Sequence, residues 1–345
     1  MNLTNARYAF ISAYLKGEET RGVTYEHIEE LLRRSENMQD ALEIISDSDI
    51  GVYLLDQPIK TFDDADTYLW LYMGECLKRF EGFNIPPEMS HIVNLYAEKY
   101  DVLNIRIKLR MISKETASSM VPLGTIYSRE HLEEMSAARE MDELCKILAK
   151  CNLGDYIRVI EDINEKDPQS VSEGEVRLQN LYHHKVLKVF KNMTDGQLLV
   201  QAFESIIDSA NLQTIFRLSL GNAYTGGAPV LSGGRVLSEN TIKELLTLKI
   251  TEITGRLENT GYHVVSQDVS KGYEKDGGNT VVEKITEKYR FGLLKDLLSP
   301  RVLSTSNMLW YLLLKEMEIR NLRLILKMLA DGIPAEEIRG LVIAA

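Results

Sequence analysis

The feature that most constrains this chain is that it writes one helix several times. Residues 98–111 read EKYDVLNIRIKLRM and residues 316–329 read EMEIRNLRLILKML. Aligning on the asparagine brings out four copies: Asn5-Ala6-Arg7, Asn104-Ile105-Arg106, Asn211-Leu212-Gln213 and Asn321-Leu322-Arg323, separated by 99, 107 and 110 residues. Asp101, Asp208 and Glu318 stand three residues before the asparagine, and Arg110, Arg217 and Lys327 stand six after it. A second landmark keeps the same register. Gly51, Gly154 and Gly261 each close a helical stretch 46 to 50 residues after the asparagine, and Tyr53, Tyr156 and Tyr262 follow within two residues. A third is a glycine turn that opens a helix, in GVTYEHI (22–28), GTIYSREHL (124–132), GRVLSENTI (234–242) and GIPAEEI (332–338). Chains with such self-similarity fold as repeated units that bury a face against their neighbours.

The landmarks predict three units of about 100 residues and a truncated fourth. The tail supplies a helix of the repeated type and then stops, while the first unit lacks the upstream part of that helix. The tail is therefore expected beside the N-terminal unit, which sets the boundaries at 1–86 with 303–345, then 87–192, then 193–302.

Nearly every segment has helical periodicity. In EHIEELLRRSENMQDALEII and HHKVLKVFKNMTDGQLLVQAFESII the apolar residues recur at three and four, which predicts an all-α fold. Thr24, Ser128 and Ser238 stand where N-caps belong, each with an acid one or two residues later, favourable to the helix dipole. The best strand candidate is YHVVSQDVS (262–270). The glycine-rich stretches TGGAPVLSGGR (225–235) and KGYEKDGGN (271–279) read as surface turns, since neither carries the GxxxxGK[ST] of a phosphate cradle.

The repeated helix has two edges. At about 100° per residue, the acid at −3 and the asparagine lie within about 60° of each other, and the bases at +2 and +6 lie on the far side. The bland reading is that both edges are solvated. The sharper one is that the acid edge of one unit faces the basic edge of the next, with Asp208 coupled to Arg110 or Lys327. The candidate packing residues are Asn5, Arg7, Asp101, Asn104, Arg106, Asp208, Asn211, Arg217, Glu318, Asn321 and Arg323.

Composition narrows the function classes. With 51 acidic against 40 basic residues and a net charge of −11, the chain is poorly suited to a nucleic-acid surface. Cys76, Cys145 and Cys151 are an odd, widely spaced set without CxxC and read as small core residues. The N-terminus lacks the basic and apolar regions of a signal peptide. The longest apolar run, Met308 to Leu314, falls far short of the roughly 20 residues that span a bilayer. His183 and His184 are adjacent on a helix and point apart, so they cannot share a metal. Asp63, Asp64 and Asp66 lack the glycine and glutamate of a calcium loop and read as a helix start. With no HExxH, GxSxG or Rossmann glycine pattern, no catalytic residue, cofactor site or metal site is expected.

Several stretches carry a family resemblance. Asn5-Ala6-Arg7, Met38–Ile45 with Asp47 to Tyr53, and above all Lys315-Glu316-Met317-Glu318-Ile319-Arg320-Asn321-Leu322-Arg323 resemble the C-type subunits of A/V-type ATPases (ATP synthases), the prokaryotic counterparts of the d-type subunits of eukaryotic V-ATPases. The resemblance spans the chain and is weakest over 264–285 and the two glycine-rich stretches. It implies three similar helical domains with pseudo-threefold repetition forming a funnel. It further implies a non-catalytic central-stalk (rotor) part, peripheral on the cytoplasmic face of the membrane, seated on the proteolipid ring and socketing the shaft subunits of D and F type. The competing reading is a general helical-repeat scaffold, whose arrays repeat at about 34 or 40–47 residues rather than about 100.

Overall fold

The computed structural model describes residues 3–114, 118–221, 230–276, 279–301 and 303–343, with only the backbone course given for 3–7, 221, 276 and 279. Every regular element among them is an α-helix. In chain order these are α1 (Leu3–Glu19), α2 (Tyr25–Arg34), α3 (Met38–Ile44), α4 (Asp49–Leu55), α5 (Phe62–Lys78), α6 (Pro87–Lys114), α7 (Thr125–Ser128), α8 (Leu132–Ala137) and α9 (Met141–Lys150). There follow α10 (Gly154–Glu161), α11 (Pro168–Lys191), α12 (Gly196–Gly221), α13 (Glu239–Leu245), α14 (Ile250–Arg256), α15 (His263–Asp276), α16 (Asn279–Leu298), α17 (Ser306–Asp331) and α18 (Ala335–Arg339). None is long and apolar enough to cross a membrane.

The chain forms two compact units. Unit 1 gathers 1–100, 121–128 and 298–345, and unit 2 gathers 101–120 and 129–297. In unit 1, α17 packs against α5, α1 and α3, and α18 against α17 and α2. Helix α17 is buried nearly all round, from Ser306 through Leu312 without interruption, as expected of a core helix rather than an amphipathic surface one. In unit 2, α11 packs against α12 and α10, while α12 also meets α13 and α14. One core cluster there joins Leu212, Ile215 and Phe216 of α12 to Ile242, Leu245, Ile253, Val265 and Val282 from four later helices. Each fully buried side chain of this size contributes about 1.5–3 kcal/mol by leaving water.

Local chemistry explains the helix starts. The Thr24 hydroxyl accepts from the His27 N–H at 3.3 Å and the His27 ring accepts in return from the Thr24 N–H, and the Ser238 hydroxyl accepts from the Thr241 N–H at 3.1 Å. Ser128 departs from expectation. It ends α7 instead of capping a helix, because α7 begins at Thr125, directly after Gly124 with φ of 93°.

Two expectations are corrected. Residues 262–270 are no strand: α15 runs from His263 and buries Val265 and Val269, one helical turn apart, so the four-residue spacing outweighs the local β propensity of valine. Nor is 271–279 a surface turn over its described part, which is helix up to Asp276 and again from Asn279. Gly272 sits where a Cβ would come within 2.6 Å of Val281 Cγ1, so the glycine marks a close approach of α15 to α16 rather than a break.

The landmark glycines differ in need. At Gly51 a Cβ would stand 1.8 Å from the Ile45 carbonyl oxygen, a backbone atom that cannot yield, whereas at Gly154 it would meet nothing within 4 Å. Gly51→Ala is therefore expected to lower unfolding stability by about 2–3 kcal/mol and Gly154→Ala to leave it within about 1 kcal/mol. Urea titrations of the two variants check this, and equal effects would contradict it.

Candidate functional site: the grip of the repeated helix

The residues singled out by the repeat form three kinds of hold, each made within one unit. The first is the acid on a glycine turn. Asp208 is fully buried on α12. Its Oδ2 accepts from the N–H groups of Arg235 at 3.1 Å and Val236 at 2.8 Å and from the Tyr262 hydroxyl at 2.9 Å, and its Oδ1 accepts from the Leu237 N–H at 3.2 Å. Burial raises its carboxyl above the ordinary range while these four donors pull it back. A Cβ on Gly234 would stand 2.0 Å from Asp208 Oδ1, so the turn reaches the carboxylate only as glycine. In unit 1 the equivalent acid, Glu318 of α17, bears on Gly22 in the same way, with a Cβ there 2.2 Å from its Oε1. It is ion-paired at 2.9 Å with Lys315, whose side chain has no exposure.

The second hold is the asparagine. Asn211 donates from Nδ2 to the Leu231 carbonyl at 2.8 Å and accepts on Oδ1 from the Leu231 N–H at 3.0 Å. Asn321 does the same to Ile343, at 2.6 and 3.1 Å. A primary amide carries one donor face and one acceptor face, and a single extended residue offers their complement. That requirement explains why the position is asparagine.

The third hold is a base two or six residues after the asparagine that reaches an acid on another long helix of its own unit, although Lys327 pairs within α17 instead. Arg110 forks onto Glu175 of α11 at 2.6 Å, and Arg106 reaches the same carboxylate at 3.5 Å. Arg217 pairs with Glu283 of α16, and Arg323 pairs with Asp66 of α5 while lying 4.7 Å over the Trp70 ring.

The predicted edges thus find different partners from those expected. Asp208, Asn211, Glu318 and Asn321 are buried rather than solvated, as are Asp101 and Asn104. Asp208 couples to backbone amides and a tyrosine of its own unit, not to Arg110 or Lys327, which pair with Glu175 and Asp331. The side chains of Asn5 and Arg7 lie outside the described residues, as do residues 225–229 of the first glycine-rich stretch. Its remainder is no free turn, since Asn180 accepts from the Ser232 N–H at 2.9 Å beside the Asn211 and Asp208 bonds. Sequence reasoning missed Asp66, Glu175, Glu283 and the glycines as partners of the motif. The near-constant interval from the second glycine landmark to Glu175 and Glu283, 21 and 22 residues, could have found two of them.

The likeness to known proteins extends over nearly the whole chain. A profile of the ATP synthase (C/AC39) subunit family matches residues 11–341. The C-type subunit of the A-type ATP synthase of Pyrococcus abyssi is 25% identical over 97% of this chain and 90% of its own. Its counterpart from Methanocaldococcus jannaschii is 25% identical over 98% and 87%, and that from Thermococcus kodakarensis 24% over 97% and 90%.

Proposed function

Because the chain belongs to the ATP synthase (C/AC39) subunit family, we propose that it is a non-catalytic rotor part of an A/V-type rotary ATPase, seated on the proteolipid ring and holding the central shaft. Its three similar helical units, 1–86 with 303–345, 87–192 and 193–302, stand around a pseudo-threefold axis as a funnel. In this role it links ATP hydrolysis or synthesis to ion movement from the cytoplasmic face of the membrane, bound there peripherally through the ring and through shaft subunits of D and F type.

The observation that carries this reading is the equivalence of the holds on α12 and α17. Asp208 and Gly234 correspond to Glu318 and Gly22, and Asn211 with Leu231 corresponds to Asn321 with Ile343. The tail helix thus meets a turn near the start of the chain as α12 meets the turn that follows it. Repetition closed in this way is what a rotationally repetitive seat for a ring requires, and torque transfer asks for a broad rigid contact rather than a reactive group.

The test is biochemical. Membranes carrying the complex are expected to retain this chain through moderate washing and to release it, together with the shaft subunits, when peripheral proteins are stripped. Recovery of the chain in the first soluble fraction, free of those partners, would count against the proposal.

A further inference from the structure

The strongest feature outside the holds is a buried histidine next to one of them. His183 lies on α11 two turns beyond Glu175 and is 6% exposed. Its ring meets Phe203 of α12 edge-on at 5.4 Å and packs 5.9 Å from Tyr182. Its Nδ1 is buried without a hydrogen-bond partner among the described residues, as is Nε of Arg106 on α6. Arg106 is the charged neighbour that acts on the imidazole, and Arg106 and Arg110 share the single carboxylate of Glu175. On α12 the acid next to Phe203, Glu204, answers to Lys191, Arg235 and Asp208 instead. The charged group that acts on the imidazole is therefore a guanidinium, one of two that share a single carboxylate.

We propose that His183 is an acid-sensitive latch: taking up a proton, its buried and unpartnered ring places a charge between α11 and α12 that no acid among the described residues there receives, and the grip of α11 on α12 loosens. Burial and Arg106 hold the imidazole down to about 4 in the folded chain, against about 6.5 when unfolded. A depressed histidine leaves stability intact above the unfolded value, and stability is lost as pH falls from there toward the folded one. The window thus runs from about 6.5 down to about 4. Acidification would loosen the middle of unit 2 and so regulate how firmly the protein holds its form.

Hydrogen exchange on the full-length chain tests this, comparing wild type with His183→Phe at pH 7.5 and pH 5, after correction for intrinsic rates. Wild-type amides of 178–190 are expected to open more readily by about tenfold for each pH unit below about 6.5, and His183→Phe to keep its protection. Equal protection of wild type at both pH values, or equal loosening in the variant, would overturn the proposal. Should the variant fail to fold, exchange at the imidazole carbon of wild-type His183 decides: a midpoint near 4 supports the latch and one near 6.5 overturns it. The chain is measured alone, so failure here is distinct from failure of the rotor reading.

Discussion

Asp208→Ala is expected to lower the stability of the protein by about 3–5 kcal/mol. The buried carboxylate takes four donors, three of them backbone N–H groups of consecutive residues 235–237. A buried donor left unpaired costs about 1–3 kcal/mol, and these four cannot all find new partners without moving the turn. The turn cannot move far, since Asn211 pins Leu231 and Asn180 pins Ser232. Tyr262→Phe removes only one donor and is expected to cost about 1 kcal/mol. Urea denaturation followed by far-ultraviolet circular dichroism gives both numbers. Equal effects of the two substitutions would mean that the carboxylate does not organise the turn.

The second large effect belongs to Lys315 and Glu318, a charge pair with no exposure on the lysine and 5% on the glutamate. Burial raises the Glu318 carboxyl and the Lys315 ammonium draws it back. Removing one partner strands the other charge in the core, so Glu318→Ala is expected to cost about 3–5 kcal/mol. The double variant Lys315→Met with Glu318→Leu removes both charges at similar volume and is expected to recover most of that loss. The chain has two tryptophans, Trp70 and Trp310, and both lie in unit 1, so their fluorescence reports on the unit that holds this pair. Strictly additive single and double effects would show that the two charges are not coupled.

Much of this architecture can be read from the residues, and the part that cannot has a physical reason. The interval between copies and the helical periodicity predict an all-helical, repeated chain because both depend on local spacing. A helical wheel assigns Asp208, Asn211, Glu318 and Asn321 to one sector but does not say what lies beyond it. Polar side chains suggested water, where backbone groups of a returning segment stand instead. Asp66 read as part of a solvated helix start, yet it takes the Arg323 guanidinium, a partner 257 residues away that no local pattern announces. Gly272 read as a break because glycine permits turns. Its use here is the absence of a side chain facing Val281, which depends on how two helices pack. Lys315 occupies the place six residues before the asparagine where the other copies carry Glu98 and Ser205. That departure is visible in the sequence, but its meaning emerges only once both residues 315 and 318 are seen to be buried.

The central claim is that this chain transmits torque without doing chemistry. It is tested most directly by deleting the chain from the complex and measuring ATP hydrolysis and ion transport on the same membranes. The account predicts that the catalytic head continues to hydrolyse ATP while ion transport driven by it is lost, and that adding the chain back restores the coupling. Ion transport that remains coupled to hydrolysis in its absence would contradict it.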